Sequence, residues 1–304
     1  MNKILETVQR AYQRVMGHRR PIDSIELSVH DKYILAIYKG PDDFENFMYS
    51  EDGTGCKVSC GPIDGTWKDS NFVDEFLKDV GLMLENDIMS LTSFWLGTRE
   101  MRNNNYSMIL EALKPILESR ATGLKVRELI MDVLDANQIP LILPYLDSSF
   151  LESIRISDPT SHENWRRMED SEDGNTERWK KSKKVQISTA KFPNSLKHFL
   201  RFPNVIVFVD EMEIEDMDEL IKTVLHSPIM NYFCLNFQVF ENYKLVVDHL
   251  GTSSIIKDSW YFRMTNSSDV LGITSKDQFQ QIEFHRISES EVPEGVVIQD
   301  GTLL

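Results

Sequence analysis

The chain has 304 residues, 41% hydrophobic and 27% charged, with a formal net charge of −15. That composition describes a globular protein with room for one large domain or two ordinary ones. The anionic balance disfavours nonspecific binding to nucleic acid or acidic lipid, and no apolar run reaches the ~18–20 residues needed to cross a bilayer.

Asn2 to Met16 reads as a helix with Ile4, Leu5, Val8, Tyr12 and Val15 near one face, ended by Gly17 and Pro21. This amino end is too polar for a secretory signal, so a cytoplasmic or nuclear compartment is expected. The period then changes to two. Ile25, Leu27 and Val29 alternate with polar residues, and Tyr33 to Tyr38 answers them across a turn at His30-Asp31-Lys32. A second hairpin runs from Phe47–Tyr49 through a turn at Glu51–Gly55 to Cys56–Cys60.

An amphipathic helix starts at the cap Asn71 and carries Phe72, Phe76, Val80 and Leu84. Leu91 to Leu96 reads as a strand. A further helix with Tyr106, Ile109, Leu110, Leu113 and Leu117 is expected to stop at Gly123 in the left-handed conformation.

From Leu124 one unit recurs: a short apolar strand, a helix or loop, and another strand. The strands are Leu124–Val133, Phe150–Ile156, Val185–Ile187, Val205–Val209 and Phe233–Phe237. Leu151, Ile154 and Ile156 give the L-x-x-I-x-I spacing of a solenoid strand, and the intervals straddle the ~20–29 residue period of leucine-rich repeats without being regular. Pro140 and Pro144 keep the first connection short. Met217, Leu220, Ile221, Val224 and Leu225 define a helix whose first turns are acidic and whose end holds Lys222, His226 and Pro228. Trp260–Met264 and Phe279–Ile287 read as a terminal strand pair, with Val270–Ile273 between them, and the acidic stretch beyond Ser288 as a loose tail.

The expected fold is therefore α/β: an irregular leucine-rich-repeat-like stack of strands and helices, with β-hairpins at the amino-terminal end and a terminal strand pair. Its parts are a helix at 1–18, an α/β part at 22–122 continuous with the sheet, repeats at 123–287 and a tail at 288–304.

Chemistry-bearing clusters are few. Cys56 and Cys60 lie ~13 Å apart along a strand, too far for a disulfide. They lack zinc-ligand partners and read as two buried thiols. Trp165, Arg166 and Arg167 with Trp179, Lys180, Lys181, Lys183 and Lys184 form the one aromatic-and-basic cluster. It reads as a solvated face with anchored tryptophans, against an alternative nucleic-acid patch. The acidic run Asp210–Glu219 lacks EF-hand spacing. Asp52-Gly-Thr-Gly55 is a hairpin turn, and no nucleophile elbow, phosphate loop or zinc-protease motif occurs. No catalytic, cofactor or metal residues are expected. An enzyme with a dispersed site stays as a second alternative.

The succession Leu143-Pro-Tyr-Leu146, Phe150–Ile156, Trp179–Ile187, Phe199–Phe202 with Val205–Phe208, Ile214–Leu225 and His226-Ser-Pro228 resembles the FTH domain. That domain is the nematode module found behind an F-box in worm F-box proteins. Phe262–Leu271 fits the same family's carboxyl end, and the likeness is best over about 110–237. The resemblance implies a noncatalytic surface that recruits a substrate or partner protein. Intact members are coupled to a ubiquitin ligase through the F-box and a Skp adaptor. The chain departs from that pattern, because only the helix at Asn2–Met16, read as an F-box remnant, precedes the first hairpin. A complete F-box for a Skp adaptor is thus not expected. The residues chosen for partner contact are Trp165, Arg166 and Arg167; no membrane or nucleic-acid partner is expected.

Overall fold

A computed structural model describes residues 22–300 apart from 54, 86–88, 99–103, 135, 158–182, 189–201, 210–211, 238, 251–255 and 266. The helix expected at Asn2–Met16, the loop at Glu169–Gly174 and the contact residues Trp165, Arg166 and Arg167 lie outside the described residues. The fold is mixed α/β. Its described residues form two compact units, one ending at Arg155 and the other beginning at Ile156. The division falls inside the span 123–287 expected for the repeats.

The first unit begins with an antiparallel meander: β1 (Ser24–Val29), β2 (Tyr33–Lys39), β3 (Phe44–Asp52), β4 (Gly55–Cys60) and β5 (Ile63–Lys68). Gly53, at φ +61°, makes the tight turn of the second hairpin. β5 escaped the sequence analysis, because Gly61-Pro62 and Gly65 interrupt any apolar alternation. Helix α1 (Phe72–Leu84) follows, with the Asn71 carboxamide accepting from the Val73 N–H at 2.8 Å as its cap. α1 lies on the meander: Phe76 meets the Tyr49 ring edge-on, and Tyr49 donates to Asp79.

The pairing then changes from antiparallel to parallel. β6 (Ser90–Thr98) pairs parallel with β1, helix α2 (Asn104–Glu118) crosses over, and β7 (Lys125–Asp132) pairs parallel with β6. Two short 3-10 turns, Ala136–Leu141 and Leu143–Tyr145, hold the prolines expected to keep this connection short and lead to β8 (Ser153–Ser157), next to β7. The order through this unit is β5-β4-β3-β2-β1-β6-β7-β8.

Gly123 is needed for a reason other than the expected helix stop. α2 ends at Glu118, and Gly123 is absent from the glycines with positive φ. Instead its Cα faces the Leu146–Asp147 backbone, where an added Cβ would stand 2.9 Å from the Asp147 nitrogen. That close approach lets Leu124 exchange backbone hydrogen bonds with Tyr145 and Asp147.

The second unit has the order β15-β12-β13-β14-β11-β10-β9. β9 (Lys184–Ser188), β10 (Asn204–Val209) and β11 (Tyr232–Phe237) run parallel. Helix α3 (Ile214–His226) joins the last two, burying Met217, Leu220, Ile221, Val224 and Leu225 as the 3.6-residue period predicts. Helix α4 (Phe240–His249) buries Tyr243 and Val246; its short, weakly patterned sequence hid it. The expected terminal strand pair is a three-stranded meander. β12 (Ser259–Arg263) and β14 (Gln281–Ser288) do not pair with each other but each pairs antiparallel with β13 (Asp269–Lys276) between them. β14 in turn pairs antiparallel with β11. Beyond Ser288 the chain makes a capped 3-10 turn and adds β15 (Gln299–Asp300) beside β12, with Arg263 bonding Glu289 twice.

Five strands share one burial pattern, apolar-x-x-apolar-x-apolar: Leu91-Phe94-Leu96, Val126-Leu129-Met131, Leu151-Ile154-Ile156, Phe202-Val205-Val207 and Met230-Phe233-Leu235, all buried. The last two apolar positions point to the helix side of the sheet, and the first lies at the strand entry. Among the described residues no helix is long and apolar enough to cross a membrane.

Two glycine substitutions separate close approach from helix entropy. Gly123→Ala is expected to lower stability by about 1–3 kcal/mol through backbone overlap. Gly81→Ala, inside α1 where the new methyl meets only Ile116 at 3.5 Å, is expected to raise it by about 0.5–1 kcal/mol. Urea denaturation of both variants checks the pair; equal effects of one sign would contradict the assignment.

Candidate protein-binding face

Helices in each unit cover one face of its sheet, so the residues between the buried positions point to the other. In the first unit the strands β6 and β7 present Ser93, Trp95 and Gly97 beside Glu128, Ile130 and Asp132. The Trp95 indole lies over Gly97, where a Cβ would be 2.8 Å from the ring. Arg155 reaches Glu128 at 3.2 Å.

Asp132 closes the carboxyl ends of these strands. Its Oδ2 accepts the Thr98 N–H at 2.9 Å, while the Tyr106 hydroxyl from α2 lies 3.0 Å from the Leu96 carbonyl and 2.5 Å from that of Asp132. Burial pushes the Asp132 carboxyl up to about 6, although the Thr98 N–H pulls the other way. Burial likewise holds the Tyr106 phenol protonated. Beside it, Gln138 accepts from the Leu134 N–H and donates to Ser107, tying the 3-10 turn to α2.

The second unit carries a denser polar surface. From β9 to β11 the outward positions are Lys184, Gln186 and Ser188, then Asn204, Ile206 and Phe208, then Tyr232, Cys234 and Asn236. β14 continues the row with His285, Glu283 and Gln281. Glu283 is the hub: it accepts from Tyr232 at 3.0 Å, pairs with Lys276 at 2.6 Å and lies 3.1 Å from His285 Nε2. Burial raises its carboxyl, but the bonds from Lys276, His285 and Tyr232 together outweigh burial and leave it below the usual range. The His285 and Tyr232 rings lie 5.0 Å apart. Gln281 donates to Cys234 and Asn236, and burial raises the Cys234 thiol.

These groups satisfy one another and leave half-buried Ile206, Phe208 and Tyr232 among amides and a lysine. Such a surface suits recognition of another protein, with aromatic anchors inside a polar surround. Sequence reasoning found the strands but not this face, because its residues come from five chain segments. The alternation within each strand was the available signal.

Other sequence expectations fare differently. Cys56 is buried and its thiol pushed up to about 11 by burial, but Cys60, the last residue of β4 before the Gly61 turn, is only partly buried. Of the aromatic-and-basic cluster only Lys183 and Lys184 are described, both exposed. The acidic first turn of α3 holds Glu215 and Asp216 at the helix amino end, as dipole complementation requires. Among the described residues no cluster of His, Cys, Asp or Glu has metal-holding geometry.

Because the Asp132 pKa is raised on folding, the folded state binds its proton more tightly than the unfolded chain. Its ionisation opposes folding above about pH 6, and that opposition fades as pH falls toward the unfolded value near ~4. Asp132→Asn keeps an oxygen for the Thr98 N–H. It is expected to gain about 1–2 kcal/mol at pH 7.5 and little at pH 4.5, measured by denaturation at both. Equal effects at the two values would contradict the assignment.

The model of the FTH domain family matches residues 107–247, a stretch reaching from α2 through α4. No curated protein and no solved structure matches the chain.

Proposed function

From the premise that residues 107–247 are an FTH domain, we propose that the chain is a noncatalytic module that recruits a protein partner. The outward face of β9, β10 and β11 is the recognition surface. The observation that carries this reading is the half-buried set Ile206, Phe208 and Tyr232, set among Lys184, Gln186, Asn204 and Asn236 inside the matched stretch. The recurring apolar-x-x-apolar-x-apolar burial supports a finer reading, in which the strand-helix units are irregular leucine-rich-like coils. In that geometry the helices fill one side and leave the strand side to bind, as in solenoids.

Family membership supports a link to ubiquitin ligation, with the FTH domain presenting a substrate to machinery brought by a Skp adaptor. Co-purification of a Skp adaptor with the chain supports that form, and its absence leaves a bare recognition module.

Substitutions test the face. Phe208→Asp and Asn236→Arg are expected to fold normally and to weaken partner retention about tenfold or more. Leu245→Arg, on the exposed side of α4 where Leu245 is 53% exposed, is expected to retain it. Quantitative affinity purification with the full chain reads all three. Loss with Leu245→Arg and retention with the other two would overturn the proposal.

A further inference from the structure

The amino-terminal meander holds a second surface, outside the FTH match. On the side of β2 and β3 away from α1, Leu35 pairs with Met48, while Ile37, paired with Asn46, lies diagonally between Met48 and Phe44. Phe44 is 65% exposed and Met48 38% exposed, and Leu35 and Ile37 are half-buried beside them. Together they make a continuous apolar strip on two neighbouring strands. Rigid strands hold this strip in place at both ends: β2 is paired on both sides, by β1 and β3, and β3 by β2 and β4.

The strip is bounded by carboxylates. Asp42 and Asp43 stand exposed in the turn at the Phe44 end, and Asp31, Glu51 and Asp52 stand exposed at the Met48 end, where they outnumber the one exposed cation of that turn, Lys32. Through residues 22–69 carboxylates outnumber lysines by more than two to one. Two of those lysines are engaged, Lys39 with Glu26 and Lys57 with Asp64. An apolar centre with anionic ends selects its occupant by charge. A second copy of this chain, at net −15, would bring like charge to like, and nucleic acid or acidic lipid would be repelled.

We propose that the β2–β3 strip binds a cationic segment of a partner protein, with apolar side chains meeting Leu35, Ile37, Phe44 and Met48 and flanking Lys or Arg meeting the carboxylates at either end. None of these residues lies in 107–247, so the surface stands or falls apart from the FTH reading.

The probe is a synthetic peptide alternating Leu and Lys, with its Leu and Glu counterpart, titrated against the full chain by fluorescence anisotropy. The Lys peptide is expected to bind and the Glu peptide to fail. The double variant Phe44→Ser with Met48→Ser, at exposed positions that the fold does not need, is expected to weaken binding about tenfold or more. Asp42→Asn with Asp43→Asn is expected to weaken it and flatten its salt dependence. Lys-peptide binding unchanged by the Phe44 and Met48 double variant, or equal binding of the Glu peptide, would overturn the proposal. So would self-association in sedimentation that the same double variant abolishes, since the occupant would then be a second copy.

Discussion

Parallel pairing of short strands with one buried side is the constraint on which the rest depends. A parallel strand must be followed by a crossover, and here α2 serves as one in the first unit and α3 in the second, each burying its apolar side. The apolar positions of each strand therefore point toward helices, and the alternate positions are left without one. That asymmetry produces both a core and a face. Without it, Tyr232, Glu283 and His285 would meet helix side chains instead of one another.

Each unit uses the outward face of its own strands differently. On the first, α1 stabilises an antiparallel meander whose outer side is apolar along β2 and β3 and acidic at its turns. On the second, Glu283 carries three partners and is held as a carboxylate by them. A hub of this kind fixes side-chain directions on an open sheet, where packing alone does not. Side chains held in this way lose less freedom on any further ordering than loose ones would.

Much of this was legible in the chain. The two hairpins, the cap at Asn71, the helix faces of α1 to α3 and the strands from Leu124 onward follow from local periodicity and turn chemistry, which act over a few residues. The FTH likeness over about 110–237 is met by a match at 107–247. Less legible were features set by distant partners. Glycine's habit of ending helices points to a stop at Gly123, whereas its need is steric and comes from the Leu146–Asp147 backbone. β13 reads as a minor segment until its pairing places it between β12 and β14. The apolar-x-x-apolar-x-apolar pattern is legible at Leu151, Ile154 and Ile156, but its equivalents such as Leu91-x-x-Phe94-x-Leu96 emerge only when burial marks the entry residue of each strand as part of the core. Alternation within each strand marks the outward positions of the polar face, but not their pairing, because Glu283 meets Tyr232 across a long connection.

The proposal that the strand side of residues 107–247, rather than the helix side, meets a partner is open to a direct test. The most direct measurement replaces Phe208 and, separately, Leu245 with a photo-crosslinking phenylalanine analogue and identifies the adducts. One discrete protein adduct is expected from position 208 and none from position 245. An adduct formed from position 245 alone would contradict the proposal.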